Sequence, residues 1–257
     1  MKYDIITVDT LTRSITVVIP AYNEEKRLAA TLEQVLSYLD RGDWAFAEVL
    51  VVDDGSRDST AALAERFGGA DARVRVLRNP GNRGKGYSVR HGMLEARGEW
   101  VLFTDADLST PIEELDRLIG AAGARQASVV IGSRALDRSL IGVHQSLFRE
   151  NAGRLFNLCM RIITGLPFAD TQCGFKLFER SAAQQIFRRQ RLDRFGFDPE
   201  VLFIARRLGY RIAEVPVRWN NAEGTKVTLL GGLTPFLDLL RIRWNQLRGR
   251  YDWTGSQ

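Results

Sequence analysis

Short apolar runs separated by helical patterns predict the fold of this chain. Six runs rich in β-branched or aromatic residues, each bounded by polar or turn residues, predict buried strands. They lie at Ile15–Ile19, Val49–Val52, Val74–Leu77, Trp100–Phe103, Ser128–Ile131 and Ala213–Trp219. Between strands, apolar residues recur at helical spacing, most clearly at Leu28, Leu32, Val35, Leu36 and Leu39. This alternation is typical of an α/β fold with a mostly parallel sheet and helices on both faces.

Residues that favour helix termini mark where several helices are expected to begin. Thr110 is predicted as an N-cap, with Glu113 completing a capping box. Asp198 is predicted as an N-cap before Pro199, which suits the first helical position, and Asn23 as the N-cap of the first helix. Further helices are predicted at roughly 59–67, from 87 to about 96, and over 145–164.

Acidic residues follow three of the predicted strands at the point where each strand ends. Glu24 follows the first strand, Asp53 and Asp54 the second, and Asp105 and Asp107 the fourth. Because open α/β sheets bind ligands at the carboxyl ends of parallel strands, we expect these acids to form a site. Asp105 and Asp107 could both reach one Mg²⁺ or Mn²⁺ ion beside substrate phosphates. The alternative, two solvated loop acids of which one caps a helix, remains open from the residues alone.

Composition narrows the class of protein. The chain has 257 residues, 45% hydrophobic and 26% charged, which predicts a folded protein with one large α/β domain or two small ones. Its net charge is +5, and its two cysteines, Cys159 and Cys173, match no metal-ligand spacing, so a reduced, cytoplasmic setting is expected. The first residues show no signal-peptide pattern, and no run of 18 apolar residues predicts a membrane span.

Motifs along most of the chain, from about residue 14 to 250, resemble those of one enzyme family. In order they are ITVVIPAYNEEKRL, VLVVDDGSRDST, NRGKG, FTDADLSTP, VIGSR, DTQCGFKLF, FDPEVLFIARRLGY and EVPVRWNNAEGTKV. Together they are similar to the motifs of family 2 glycosyltransferases with the GT-A fold. The segments DTQCGFKLF and EGTKV most resemble dolichyl-phosphate β-glucosyltransferases and their prokaryotic relatives, with dolichyl-phosphate mannose synthases as the nearest cousins.

The resemblance implies roles for individual residues. Nucleotide-sugar binding is implied for Pro20, Ala21, Tyr22, Glu24, Val52, Asp53, Asp54, Lys85, Asp105, Ala106, Asp107 and Arg134. Catalytic roles are implied for Asp105, Asp107, Arg134 and Asp198, and phosphate or acceptor binding for Arg134, Arg149, Gln172, Lys176, Arg218 and Lys226. Asp107 would bind the Mg²⁺ or Mn²⁺ ion directly, and Asp105 would contact the ribose or the metal. Ser109 stands where mannose synthases have a glutamine, so water is expected to replace a third protein ligand.

The implied reaction transfers glucose from UDP-glucose to a polyprenyl phosphate with inversion at the anomeric carbon. A phosphate oxygen is largely ionised at neutral pH and needs no strong general base, whereas a hydroxyl acceptor does. Asp198 occupies the place where many relatives keep such an acid, although its role as a helix cap is equally compatible. His91, inside a predicted helix, and His144, in a loop, are weaker candidates for a base.

The last part of the chain suggests a membrane surface as a partner. The implied organisation is a catalytic domain over 1–226, with a nucleotide-binding half at 14–134 and an acceptor half at 135–226, followed by an amphipathic basic segment at 227–257. Residues 145–164 and 227–250 mix aliphatic, aromatic and arginine side chains, as interfacial helices do. We therefore expect peripheral attachment at the cytoplasmic face of a membrane, while packing of these helices on the sheet remains the alternative.

Three other functions are consistent with parts of this pattern. A polyprenyl-phosphate mannosyltransferase that uses GDP-mannose would have the same mechanism but belong to a different branch of the family. A soluble glycosyltransferase with a hydroxyl acceptor would have the same fold. A non-catalytic module for nucleotide sugars or nucleic acid is disfavoured because the acidic pair is intact and the basic residues lie on no evident groove-reading element. No nucleic-acid partner is therefore expected, and a homo-oligomer is left open.

Overall fold

The computed structural model describes residues 14–140, 157–220 and 234–252, and within these ranges seven strands form one sheet. The strands are β1 (Ser14–Ala21), β2 (Phe46–Asp53), β3 (Val74–Arg78), β4 (Trp100–Thr104), β5 (Val129–Ser133), β6 (Phe175–Glu179) and β7 (Ile212–Pro216). The helices are α1 (Leu28–Arg41), α2 (Thr60–Ala70), α3 (Lys85–Glu95), α4 (Leu115–Arg125), α5 (157–164), α6 (Arg180–Arg189), α7 (Phe197–Arg207) and α8 (Thr234–Leu247). Short 3₁₀ turns lie at Ile112–Glu114 and Arg138–Leu140.

The sheet confirms the predicted α/β class and adds one strand. Its order is β3-β2-β1-β4-β6-β5-β7, and every neighbouring pair is parallel except the two that involve β6. The sequence predicted only a turn before Leu177 here, because a lysine at position 176 interrupts the apolar run. Lys176 is nevertheless fully buried, since a carboxylate in the interior neutralises its charge. Helix α6 was also absent from the sequence prediction.

Helices cover both faces of the sheet, as predicted. Alternate residues of a strand point to opposite faces, so Val17 and Ile19 of β1 pack with α1, α2 and α4, while Val18 packs on the other side. The second layer contains α3, α6, α7 and α8, and Leu239 and Ile242 of α8 are fully buried in it. The buried face of α8 therefore packs in the same core layer as α3, α6 and α7.

Two predicted helix caps are wrong because each side chain has another partner. Helix α1 begins only at Leu28; Asn23 instead has a left-handed backbone (φ 53°) and accepts a hydrogen bond from the Arg57 backbone amide at 2.8 Å. Pro111 directly precedes the 3₁₀ turn, which has no side-chain cap, and the Thr110 hydroxyl lies 3.8 Å from the Cys173 thiol. Both side chains therefore hold loops together across the fold.

Parts of the two predicted amphipathic segments lie outside the described residues. Residues 157–164 of the first are helical, and α8 accounts for most of the second. Arg149, Lys226 and His144 lie outside the described ranges, so the roles suggested for them stay predictions, as do the domain boundaries. In the described ranges we find no helix with the length and apolar character that crossing a bilayer requires.

Candidate active site

The acidic residues predicted to cluster do meet at one edge of the sheet. Strands β2, β1 and β4 are parallel neighbours, and the register places Ala21 beside Asp53 and Pro20 beside Val52. The side chains of Ala21, Val52 and Ala106 are buried in the two core layers. A ligand at this edge would therefore meet their backbone, whereas the acidic side chains of the adjoining loops would meet it directly.

The loop after β1 brings a guanidinium to this edge. Arg27 donates to the Glu24 carboxylate at 2.8 Å, and its other end lies 3.9 Å from Asp107. The Glu24 backbone amide donates to the Thr60 hydroxyl at 2.7 Å, which fixes the loop to α2, and Tyr22 is half-buried beside it. Arg27 was not among the predicted site residues, although it belongs to the motif AYNEEKRL.

The two aspartates after β2 are both buried but have different partners. Asp53 accepts a hydrogen bond from the Ser56 amide at 3.2 Å, within its own loop. Asp54 accepts three, from the Asn79 side chain (2.8 Å) and from the amides of Arg83 (2.9 Å) and Gly84 (2.8 Å). Asp54 therefore shapes the loop that leads into α3, and a direct contact with a nucleotide stays a prediction for both.

That loop presents Lys85, the first residue of α3. Its ammonium lies 2.7 Å from Asp105 and over the Phe103 ring at 5.3 Å. Burial alone would lower the pKa of Lys85, but the charges of Asp105 and Asp198 outweigh it and raise that pKa above its ordinary value. Lys85 is therefore a fixed cation at the start of a helix, where backbone amides also favour an anion.

Asp105 and Asp107 differ in how open they are. Asp105 is paired with Lys85, and its carboxylate lies against the Cα of Gly174, where any side chain would collide with it. Asp107 accepts the Ser109 amide through one oxygen at 3.0 Å, and the nearest described cation to its other oxygen is Arg27. One carboxylate is therefore held by a lysine, and the other keeps an oxygen that accepts no short hydrogen bond from any described residue.

The chemistry of this pair fits a hard divalent cation. Mg²⁺ typically uses one or two carboxylates together with substrate phosphates and water. Asp107, with Asp105 beside it, would supply those carboxylates, and Lys85 and Arg27 lie where their positive charge would face the phosphates. Among the described residues there is no group of three or more histidine, cysteine or acidic side chains that would form a closed metal cage.

On the far side of β4, Arg134 is held in one orientation. Its guanidinium makes a two-pronged ion pair with Asp170, at 2.6 and 2.9 Å, and its flat face lies 5.5 Å from the Trp219 ring. Burial would raise the pKa of Asp170, but the Arg134 charge outweighs it and lowers that pKa to about 2. Gln172 is exposed next to this pair, and its backbone amide donates to the Asp170 carboxylate at 3.0 Å. Asp170 and Trp219 were not predicted from the sequence.

Lys176 and Asp198 form a second, fully enclosed ion pair. The ammonium contacts the Asp198 carboxylate and donates to the Cys173 carbonyl at 2.6 Å. Burial raises the pKa of Asp198, and the charges of Lys176 and Lys85 offset part of that rise. Asp198 lies inside the first turn of α7 rather than before it, so the predicted N-cap is wrong. A role as general base stays a prediction, and burial beside a lysine argues against it.

Other predicted candidates lie apart from this cluster. Arg218 is half-exposed and pairs with the buried carboxylate of Glu114, which Arg117 also contacts at 3.3 Å. His91 bonds Asn79 through Nδ1 at 2.9 Å and so supports the loop before α3. The structure thus brings together Lys85, Asp105, Asp107, Arg134, Lys176 and Asp198.

The fold described above is the GT-A fold of glycosyltransferases. The model of the family described as "Glycosyl transferase family 2" matches residues 16–187. Because that match covers more than half of the chain, the protein belongs to glycosyl transferase family 2 and is an enzyme of that class.

Curated relatives and solved structures agree with this assignment. Dolichyl-phosphate beta-glucosyltransferase from Homo sapiens is 38% identical, covering 95% of this chain and 79% of its own. The protein of the same name from Drosophila melanogaster is 39% identical, covering 91% of this chain and 73% of its own. Glucosyl-3-phosphoglycerate synthase from Mycobacterium tuberculosis, solved with UDP, superposes with a TM-score of 0.65 at 22% identity, over 94% of this chain and 86% of its own. At that identity the superposition shows the fold alone.

Proposed function

We propose that this enzyme transfers glucose from UDP-glucose to a polyprenyl phosphate of the dolichyl type, with inversion and with help from Mg²⁺ or Mn²⁺. Relatives named dolichyl-phosphate beta-glucosyltransferase at 34–39% identity support the glucose and the lipid acceptor. A Mycobacterium tuberculosis structure of the same fold, solved with Mn²⁺ and UDP-glucose, agrees with the donor and the metal. The donor, the acceptor and the lipid each require particular charged or apolar groups, and residues of this protein can supply them.

The donor would lie along the edge formed by β2, β1 and β4. Negative charge develops on the leaving diphosphate, and preorganised cations at that point are the strongest stabilising groups an enzyme can offer. Lys85 and Arg27 lie there already, held by Asp105 and Glu24. A divalent cation bound at Asp107 would add Lewis-acid stabilisation of the same diphosphate.

The geometry of the site bears most directly on whether the acceptor is a phosphate or a hydroxyl group. The single observation is that Asp198, the only acid that the sequence suggested as a base, is buried and paired with Lys176. A hydroxyl acceptor requires a base along its line of attack. A phosphate acceptor is already ionised and requires positive groups that position it near the donor. Arg134, oriented by Asp170 and partly exposed, is a group of that kind.

A lipid acceptor requires contact with a bilayer, and α8 offers a surface for it. Its inner face is buried, whereas Leu237, Leu240, Trp244 and Leu247 are exposed along one side, at helical spacing. Arg248 stacks on Trp244 at 4.4 Å, which places a cation beside this apolar stripe. An apolar stripe flanked by arginine is typical of helices that lie in an anionic membrane interface. We propose peripheral attachment there, at the cytoplasmic face.

A transfer assay tests this function. Purified protein would be mixed with radiolabelled UDP-glucose, Mg²⁺ or Mn²⁺ and a polyprenyl phosphate in vesicles, and label would be counted in the organic phase. We expect lipid label that requires the metal and is lost with EDTA. If GDP-mannose rather than UDP-glucose labels the lipid, the proposed donor is wrong and the proposed mechanism stands. Absence of lipid label, with UDP release only when a phosphorylated small acid is added, would overturn the acceptor.

A further inference from the structure

The segment 190–193 lies between the start of α3 and the start of α7 and contacts both helices, and it is not part of the site described above. On the α3 side, Gln190 donates to the Gly86 carbonyl at 2.8 Å, and the Asp193 carbonyl accepts the Tyr87 amide at 3.0 Å. Arg90 adds an ion pair with Asp193 at 3.0 Å. Tyr87 lies in the first turn of α3, where amides have no partner within the helix, so this segment completes the helix that presents Lys85.

The contact is close enough to fix the backbone of Lys85 itself. A Cβ on Gly84 would lie 2.5 Å from the Asp193 carbonyl oxygen, and one on Gly86 would lie 2.6 Å from that of Leu192. Both distances are far below a van der Waals contact, so glycine is required on each side of Lys85. Because the two backbones touch, a shift of the segment 190–193 towards α3 would displace Lys85, and with it the ammonium that lies beside Asp105.

On its other side, the segment is held by one buried carboxylate. Glu200 of α7 accepts the amides of Arg191 at 3.1 Å and Leu192 at 2.8 Å, and it accepts the hydroxyl of Tyr251 at 2.7 Å. Glu200 is fully buried, and that burial raises its pKa to about 7. A buried carboxylate is costly, and it is tolerated here because three donors converge on it.

We propose that Glu200 is a positioning residue for the reaction, which acts on Lys85 through the segment 190–193 and uses Tyr251, beyond the end of α8, as its third partner. The role in binding the donor rests on the proposed function, but the effect on the position of Lys85 does not. Burial and packing alone would be satisfied by an apolar residue at position 200. Orientation of the two amides requires an acceptor.

Tyr251→Phe is the mildest test, because it removes one hydroxyl and leaves both backbone amides bonded to Glu200. Its matched control is Asp252→Asn, which removes the negative charge that the neighbouring residue presents to Arg207 of the same helix α7, at 2.7 Å. That ion pair makes no contact with the segment 190–193. Glu200→Gln is the stronger variant, since it replaces the charge that accepts all three hydrogen bonds.

Hydrogen exchange of the full-length protein gives a readout that does not depend on any substrate. We expect amides of residues 84–88 to exchange about three- to tenfold faster in Tyr251→Phe, the loss of roughly one hydrogen bond, and faster still in Glu200→Gln. Asp252→Asn should match the wild type in this loop. Faster exchange confined to residues near position 251, or equal changes in Tyr251→Phe and Asp252→Asn, would overturn the proposal.

Kinetics then separate positioning from a general loss of stability. In Tyr251→Phe the KM for UDP-glucose should rise by about the same three- to tenfold, with kcat within about twofold and the KM for the lipid unchanged. A fall in kcat with both KM values unchanged, as expected from a partly unfolded preparation, would contradict a positioning role. If the wild type itself does not use UDP-glucose, the proposed function fails, and the exchange experiment still decides the role of Glu200.

Discussion

The two sides of β4 hold their charges in opposite ways. On the side of β1 and β2, one oxygen of Asp107 accepts no short hydrogen bond from a described residue, and the contact between Asp107 and Arg27 is long, at 3.9 Å. On the side of β6, Lys176 and Asp198 are enclosed and neutralise each other. The difference suggests that the first side interacts with the substrate while the second fixes the geometry. Sequence motifs alone give both sides the same weight.

Lys85 lies where these two regions meet. It contacts Asp105 directly, and the charge of Asp198 also contributes to its raised pKa. Gly174, two residues before Lys176, accepts the Asp105 amide through its carbonyl at 3.2 Å and makes room for the Asp105 carboxylate. The region around the enclosed pair Lys176–Asp198 therefore supports Asp105 on the open side of β4. The charges of the two regions can be removed by separate substitutions.

The largest effect is expected from Asp107→Asn, which removes charge on the open side. Activity should fall about a hundred- to a thousandfold, because the divalent cation proposed to stabilise the developing negative charge would lose its charged ligand. Stability should change by less than about 0.5 kcal/mol, since Asp107 is partly exposed and its contact with Arg27 is long, at 3.9 Å. Steady-state kinetics and urea unfolding check both. Asp40→Asn, at the exposed end of α1, is the control, and full activity in Asp107→Asn would exclude it as a metal ligand.

The opposite pattern is expected from Lys176→Met, which leaves Asp198 buried without its partner. We expect a loss of about 3–5 kcal/mol of the free energy of unfolding, because one buried charge is then uncompensated. The double variant Lys176→Met with Asp198→Leu should recover much of that loss, since two apolar residues can replace a buried pair. Urea unfolding measures all three proteins. A single variant that unfolds like the wild type would show that Lys176 is not needed to neutralise Asp198.

The sequence was enough to predict the acidic cluster on the open side of β4, because that prediction depends only on local patterns. Asp53 and Asp105 each follow an apolar run, and the rule that parallel strands end together is enough to bring them to one edge. The ion pairs on the other side of β4, whether enclosed or partly exposed, depend on partners that are far apart in the sequence. Asp170 lies 36 residues from Arg134, and Asp198 lies 22 residues from Lys176, so no local pattern shows that these charges are paired.

The same reason explains the elements that the sequence missed. Strand β6 contains a lysine, and its burial depends on a carboxylate from α7 that a hydrophobicity pattern cannot detect. Thr110 and Asp198 have the chemistry of helix caps, yet Cys173 and Lys176 are their partners. Tertiary partners override local propensity at these positions, and each position lies beside the candidate site, where the folded structure departs from its local rules.

The smallest expected effect comes from acid, and it tests whether Asp170 is as enclosed as Asp198. The pKa of Asp170 is lowered from an ordinary 3.8 to about 2, so its contribution to stability is present above pH 3.8 and is lost as the pH falls towards 2. Between pH 7 and pH 3 the loss should be about 1 kcal/mol. Urea unfolding of wild type and Asp170→Asn at both pH values measures it, because the gap between the two proteins should shrink by that amount. An unchanged gap would mean that Arg134 does not hold Asp170 ionised, and that the guanidinium is free to turn towards an acceptor phosphate.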